Sequence, residues 1–227
     1  MHSRMSWWTD ESILWYERAS KVSDYHRRLT DEIERHIREN ESVLELGCGL
    51  GYEAELLFGD GYDIRAVDIE PVVIEKARER TGKDIFRCCD ASELRERSDV
   101  ALCINYGHIE DASDLKAMAD HSSKKLLYVI SRHSGHNQDT RPDRTDLICS
   151  ILEREGYSYT RSDLELDFSQ PLRSEEEARL FISWTYLGKN QNQYLGFLEK
   201  TYDKDYPYVF RNRKNLVLFD IETGESR

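Results

Sequence analysis

Residues 43–57 read VLELGCGLGYEAELL, an apolar run that meets three glycines at alternate positions and continues as an apolar, helix-compatible stretch. The run before the glycines has the length and composition of a buried strand, and the stretch after them suits a helix. Glycine enters positive φ at no steric cost and lets a ligand reach bare backbone, so Gly47, Gly49 and Gly51 read as a strand-to-helix binding turn. A triphosphate-binding turn needs Gly-Lys-Ser/Thr at the helix entry, and Tyr52 and Glu53 stand there instead. A dinucleotide turn wants a glycine at position 52, which is the tyrosine.

Around this turn, short β-rich runs alternate with amphipathic helical stretches: SVLELG, YEAELLF, YDIRAVD, PVVIEKARER, DIFRCC, DVALCIN, ASDLKAMADH, KKLLYVI and RPDRTDLICSILERE. That alternation predicts parallel strands joined by right-handed crossovers. After Gly156, YSYTRSDLELDF reads as a strand, SEEEARLFISWTYLG as a helix started by Ser174, NQYLGFLEKTY as a second helical piece, and NLVLFDIE as a closing strand. Before Ser42 the chain is charged, aromatic and helical in period.

The 227 residues carry 44 acidic and 32 basic side chains, a net charge of -12 that opposes attraction to nucleic-acid phosphates. Five cysteines, irregularly spaced, form neither a disulfide framework nor a zinc ribbon and suit a reducing, cytoplasmic setting. The adjacent Cys88 and Cys89 are expected in a buried strand, which sets thiol-dependent metalloid chemistry aside. There is no apolar leader and no run of membrane-span length, so a soluble chain is expected. No metal site is expected: His133 and His136 have only Asp139 as a neighbouring ligand type.

Three carboxylates accompany the glycines. Asp68 ends the second strand, where it can accept hydrogen bonds from the two hydroxyls of a ribose; Asp90 ends the third, within reach of an adenine amine; Glu45 precedes the turn and can meet an ammonium group. Asp68 equally suits a helix N-cap before Pro71, and Asp90 a cap for ASEL. Cys48 reads as a packing residue.

This constellation resembles the class I S-adenosylmethionine-dependent methyltransferases. Their acid followed by G-x-G-x-G is matched by ELGCGLG at 45–51, their second-strand acid by Asp68, their third-strand acid by Asp90, and their fourth-strand segment by DVALCINYGHIED. The resemblance implies an α/β, Rossmann-like, seven-stranded and mostly parallel sheet of order 3-2-1-4-5-7-6, its last strand antiparallel, with helices on both faces. It implies a single domain over 1–227: an N-terminal helical lid at 1–40, a cofactor-binding core at 41–168, a helical insertion at 171–205 and a closing strand within 206–227. S-adenosyl-L-methionine is the implied cofactor and S-adenosyl-L-homocysteine the product. The implied contacts are Tyr25, Glu45, Gly47, Cys48, Gly49 and Gly51, then Asp68 with Ile69, Asp90 with Ala91, and Asn105. His108 is the first candidate for a general base and His133 the second, with Arg132, Arg141 and Arg144 placed to pair with an acidic acceptor. The fourth-strand loop lacks the Asn/Asp-Pro-Pro-Tyr/Phe of base-amine methyltransferases, and Cys103 lacks a preceding proline, which leaves a small-molecule O, N or S acceptor as the leading reading. A protein acceptor, a non-catalytic adenosylmethionine-binding protein and a nicotinamide oxidoreductase are the alternatives.

Overall fold

In the computed structural model, which describes residues 7–134, 143–186 and 190–224, helices α1 (Asp10–Val22) and α2 (Tyr25–Glu34) lead into β1 (Ser42–Leu46). The chain continues through α3 (Tyr52–Gly59), β2 (Asp63–Asp68), α4 (Pro71–Thr81), β3 (Phe86–Cys88), β4 (Ser98–Ile104), α5 (Ala112–Ala119), β5 (Ser122–Ser134), α6 (Thr145–Arg154) and β6 (Tyr159–Asp167). It ends with β7 (Gln170–Leu172), α7 (Glu175–Thr185), a 3-10 turn at Gln191–Phe197, β8 (Leu198–Lys200), β9 (Tyr208–Phe210) and β10 (Arg213–Glu222).

The main sheet has the order β3-β2-β1-β4-β5-β10-β6. Its first five strands are parallel, and β10 runs antiparallel to both β5 and β6. This is the expected 3-2-1-4-5-7-6 order, with β10 in the seventh strand's place. Side chains alternate between the faces of a strand. On β1, Val43 therefore packs with Leu29 and Ile33 of α2 and Leu57 of α3, while Leu44 and Leu46 pack with Leu115 of α5 and Ile148 and Leu152 of α6. Glu45 lies on the Val43 face, turned towards α2 and α3.

Two sequence expectations give way. NQYLGFLEKTY is not a helix: it forms the 3-10 turn and β8, which pairs with β9 in a second sheet of order β7-β9-β8. Gly196 weakens a helix there, and pairing with β9 satisfies the backbone from outside. Cys88 is exposed rather than buried, because β3 is the edge strand and only three residues long. The small sheet, α7 and Trp15 of α1 share a hydrophobic cluster of their own. Arg18 of α1 ties this cap together, donating to the Glu177 carboxylate at 2.9 Å and to the Pro171 carbonyl at 3.2 Å.

Candidate active site

At the end of β1 the glycine turn is held from within. The N–H groups of Gly47 and Cys48 donate to the Val67 carbonyl at 2.8 and 2.9 Å, that of Gly51 donates to the Cys48 carbonyl at 2.8 Å, and that of Gly49 donates to Asp68 Oδ2 at 2.8 Å. Gly51 has φ +71°, and a Cβ there would collide with the Phe86 ring. At Gly49, φ +52°, a Cβ would lie 3.0 Å from the Trp8 indole, which lines the same cavity as the turn.

That cavity, about 430 Å³, opens at the carboxyl ends of the parallel strands. From β1 and the turn it receives Glu45, Gly47, Cys48, Gly49 and Gly51; from β2, Asp68 and Ile69; from the end of β3, Asp90 and Ala91; from the end of β4, Asn105; and from α2, Tyr25. Every residue that the resemblance implies as a cofactor contact thus faces one space. Its volume lies within the range of small-molecule sites.

The cavity is acidic. Glu45 is 2% exposed, and its Oε2 has no hydrogen-bond partner. Burial first, and then the neighbouring Glu53 and Asp68, push its carboxyl well above the ordinary 4.5. Burial and Glu53 also push the Tyr25 phenol up, so it stays protonated. The Cys48 thiol is raised by burial and then by Glu45 and Asp68, which leaves it a packing group and not a nucleophile. Asp68 is not the N-cap of α4; that position is Glu70, whose N–H donates to Asp68 Oδ1 at 2.9 Å. Asp90 does cap a short 3-10 turn, accepting from the N–H and Oγ of Ser92, both at 2.8 Å, and these bonds lower its carboxyl's pKa.

A second cavity of about 180 Å³ adjoins the first, and Trp7, Tyr16, Tyr25 and Asn105 line both. Its other walls come from the cap, from Ser131 of β5, and from Asn212 and Lys214 at the start of β10. Asn105 has φ +50°, the only positive φ among described residues other than glycine, and its Oδ1 accepts from both N–H and Oγ of Ser131 at 3.1 Å. A strained residue on the wall between two cavities is a feature of functional sites.

His108 is exposed and lines neither cavity. His133 lies on β5 opposite Asn215, and its side chain is outside the described residues, as are His136, Asp139 and Arg141. Arg132 pairs with Asp163 at 3.2 Å and Arg144 with Glu110 at 2.9 Å, so both guanidiniums are engaged by protein carboxylates.

Sequence reasoning missed one buried pair. His26 Nδ1 lies 2.6 Å from Glu53 Oε1, and the imidazole stacks on Tyr52 with ring centroids 4.4 Å apart. Its Nε2 lies 2.8 Å from Ser20 Oγ, which fixes the ring from the other side. A histidine next to Tyr25 on the buried face of α2, and a glutamate at the start of α3, were the available signals.

Residues 43–126 match the methyltransferase domain family. A malonyl-[acyl-carrier protein] O-methyltransferase of Anoxybacillus flavithermus is 39% identical over 77 residues, covering 31% of this chain and 29% of that protein. The enzyme of the same name from Acetivibrio thermocellus is 34% identical over 80 residues, covering 33% and 28%. The chain thus spans less than a third of the length of these curated relatives. Among solved structures, Thermoplasma acidophilum protein 1320 superposes with a TM-score of 0.56 at 14% identity, covering 95% of this chain and 98% of the other. Magnesium protoporphyrin IX methyltransferase of Synechocystis PCC 6803, with bound S-adenosylhomocysteine, gives 0.51 at 14% identity, covering 86% and 81%. The sheet order and the superposition give a Rossmann-like methyltransferase fold. The segment that matches the methyltransferase domain family spans the glycine turn, Asp68 and Asp90.

Proposed function

We propose that this protein transfers the methyl group of S-adenosylmethionine to a small-molecule acceptor held in the smaller cavity. The observation that carries this reading is the shared wall: a glycine-lined acidic cavity and an aromatic one meet at Tyr16, Tyr25 and Asn105. The larger cavity suits the family's cofactor. The orphaned Glu45 oxygen is a buried acceptor awaiting a cation, which the cofactor's ammonium supplies. A carboxylate has about four lone-pair sites; Asp68 spends two on Gly49 and Glu70, keeping the others for ribose hydroxyls.

S-adenosylmethionine, when bound, offers a methyl carbon that takes the acceptor's lone pair while the carbon–sulfur pair returns to sulfur. The protein's part is placement and exclusion of water. Tyr25 and Asn105 touch both spaces and orient the two partners, and the rings of Trp7 and Tyr16 line the junction. Tyr25, held as a phenol, positions rather than deprotonates. His108 and His133, three and two residues beyond the chamber residues Asn105 and Ser131, are our candidates for removing the acceptor's proton.

Two readings are weighed against this one. The turn's N–H groups at Gly47, Cys48, Gly49 and Gly51 are spent inside the protein, so they do not await a pyrophosphate as a nicotinamide dinucleotide turn requires. The names of the relatives favour an acyl group on a carrier protein as the second reading of the acceptor. Five cysteines, all free, support a reducing, cytoplasmic setting, and no described helix is long and apolar enough to cross a membrane. Incubation with S-adenosylmethionine and a panel of phenols, amines, thiols and carboxylates tests the proposal. It predicts acceptor-dependent formation of S-adenosylhomocysteine. Cofactor binding with no turnover on any acceptor class, protein-borne ones included, supports a silent binding protein instead.

A further inference from the structure

The chain has four tryptophans, and all four line the two cavities: Trp7 and Trp8 the larger, Trp7, Trp15 and Trp184 the smaller. Two of them are costly where they stand, since Trp7 is 50% and Trp184 39% exposed. Large rings left facing a concavity are explained by a ligand that covers them. Tyr16, Tyr25, Phe168 and Phe181 continue the same lining, so aromatic residues make up half of it. Its volume of about 180 Å³ slightly exceeds the roughly 150 Å³ of an apolar cavity that accepts benzene. One ring or two fused rings fit, while a macrocycle does not.

Two asparagines add polar atoms to the lining. Asn212 lines the chamber, and its Oδ1 is buried without a hydrogen-bond partner. Its backbone is anchored independently: its N–H donates to Ser169 Oγ at 3.1 Å, and its carbonyl accepts from Phe168 N–H at 2.9 Å. A buried amide oxygen left without a donor is costly, and a ligand O–H or N–H relieves it. Asn105 spends its oxygen on Ser131, which turns its amide nitrogen into the group available to a ligand oxygen.

We infer that the smaller cavity binds a compact planar aromatic molecule of one or two rings, sandwiched by the tryptophans and carrying a hydroxyl or amino group that donates to Asn212 Oδ1. As a statement about the acceptor this rests on the methyltransferase reading, but the binding itself does not.

The probe is 2-naphthol, with naphthalene as the ligand that lacks a donor, titrated against the S-adenosylhomocysteine-saturated protein and read by tryptophan fluorescence. Saturable quenching by 2-naphthol is expected, with naphthalene binding about tenfold more weakly. Asn212→Leu should weaken 2-naphthol about tenfold and leave naphthalene unchanged, and Trp184→Ala should weaken both. Calorimetric binding of S-adenosylhomocysteine verifies that each variant is folded. No saturable quenching by 2-naphthol in a protein that binds S-adenosylhomocysteine overturns the inference while sparing the methyltransferase reading. An unchanged naphthol-to-naphthalene ratio in Asn212→Leu, or quenching by malonyl-pantetheine in place of 2-naphthol, also overturns it. Quenching by 2-naphthol alone, in a protein that binds no adenosyl ligand, supports the aromatic site and removes the methyltransferase reading.

Discussion

The Asp68 carboxylate, at the carboxyl end of β2, accepts the backbone N–H of Gly49 at 2.8 Å, 19 residues earlier in the chain. The acid that the sequence marks as a ribose ligand is therefore also the clamp that shapes the glycine turn. Asp68→Ala should weaken S-adenosylhomocysteine binding by roughly 10- to 100-fold through lost hydrogen bonds, and it should lower the melting temperature because the Gly49 and Glu70 N–H groups lose their acceptor. Calorimetry and thermal unfolding read the two effects separately. An unchanged melting temperature would refute the clamp.

Gly49 and Gly51 should fail in different ways. Both have positive φ, so an alanine at either costs about 1 kcal/mol of backbone strain. The Cβ at Gly51 drives into Phe86 of the core and adds an overpacking cost of about 1–3 kcal/mol. The Cβ at Gly49 points instead at Trp8, on the cavity side. Gly51→Ala should lose stability first, whereas Gly49→Val should remain folded and lose cofactor binding. Full affinity in folded Gly49→Val would show that no ligand reaches that backbone.

Glu45 gives a pH signature. Its carboxyl titrates well above 4.5 in the folded chain because of burial and then Glu53 and Asp68. Its contribution to stability is thus full at low pH and is lost as the pH rises through the raised value. Glu45→Gln removes that slope: the ligand-free variant should melt higher than wild type at pH 8, with the gap closing towards pH 4.5, and should bind S-adenosylmethionine more weakly. Parallel melting curves across that range would contradict the assignment.

The His26–Glu53 pair predicts a double-mutant cycle. Removing His26 leaves the buried Glu53 carboxyl without its hydrogen-bond partner, at a cost of about 1–3 kcal/mol. His26→Leu combined with Glu53→Leu should be less destabilised than His26→Leu alone. Additive effects in urea unfolding would mean that the two side chains do not act as a pair.

What the sequence shows of this molecule follows the range of the interactions. The glycine turn, Asp68, Asp90 and the order of the main sheet are written in local patterns: alternate glycines, strand-end acids, and helices between strands. The small sheet is not, because β7, β8 and β9 have three residues each, too few for a periodic pattern, and β7 pairs with β9 across nearly forty positions. The pair His26–Glu53 and the orphaned Asn212 were hidden for the same reason, being polar residues whose burial is decided by packing between elements. Cys88 was misread because its strand is the sheet's edge, a fact that only the order of strands reveals.

The most direct test of the account is isothermal titration of the purified protein with S-adenosylmethionine and S-adenosylhomocysteine, and with NADH as the contrasting ligand. The structure predicts micromolar binding of both adenosyl ligands at one site and none of NADH. Binding of NADH alone, or of none of the three, would contradict it.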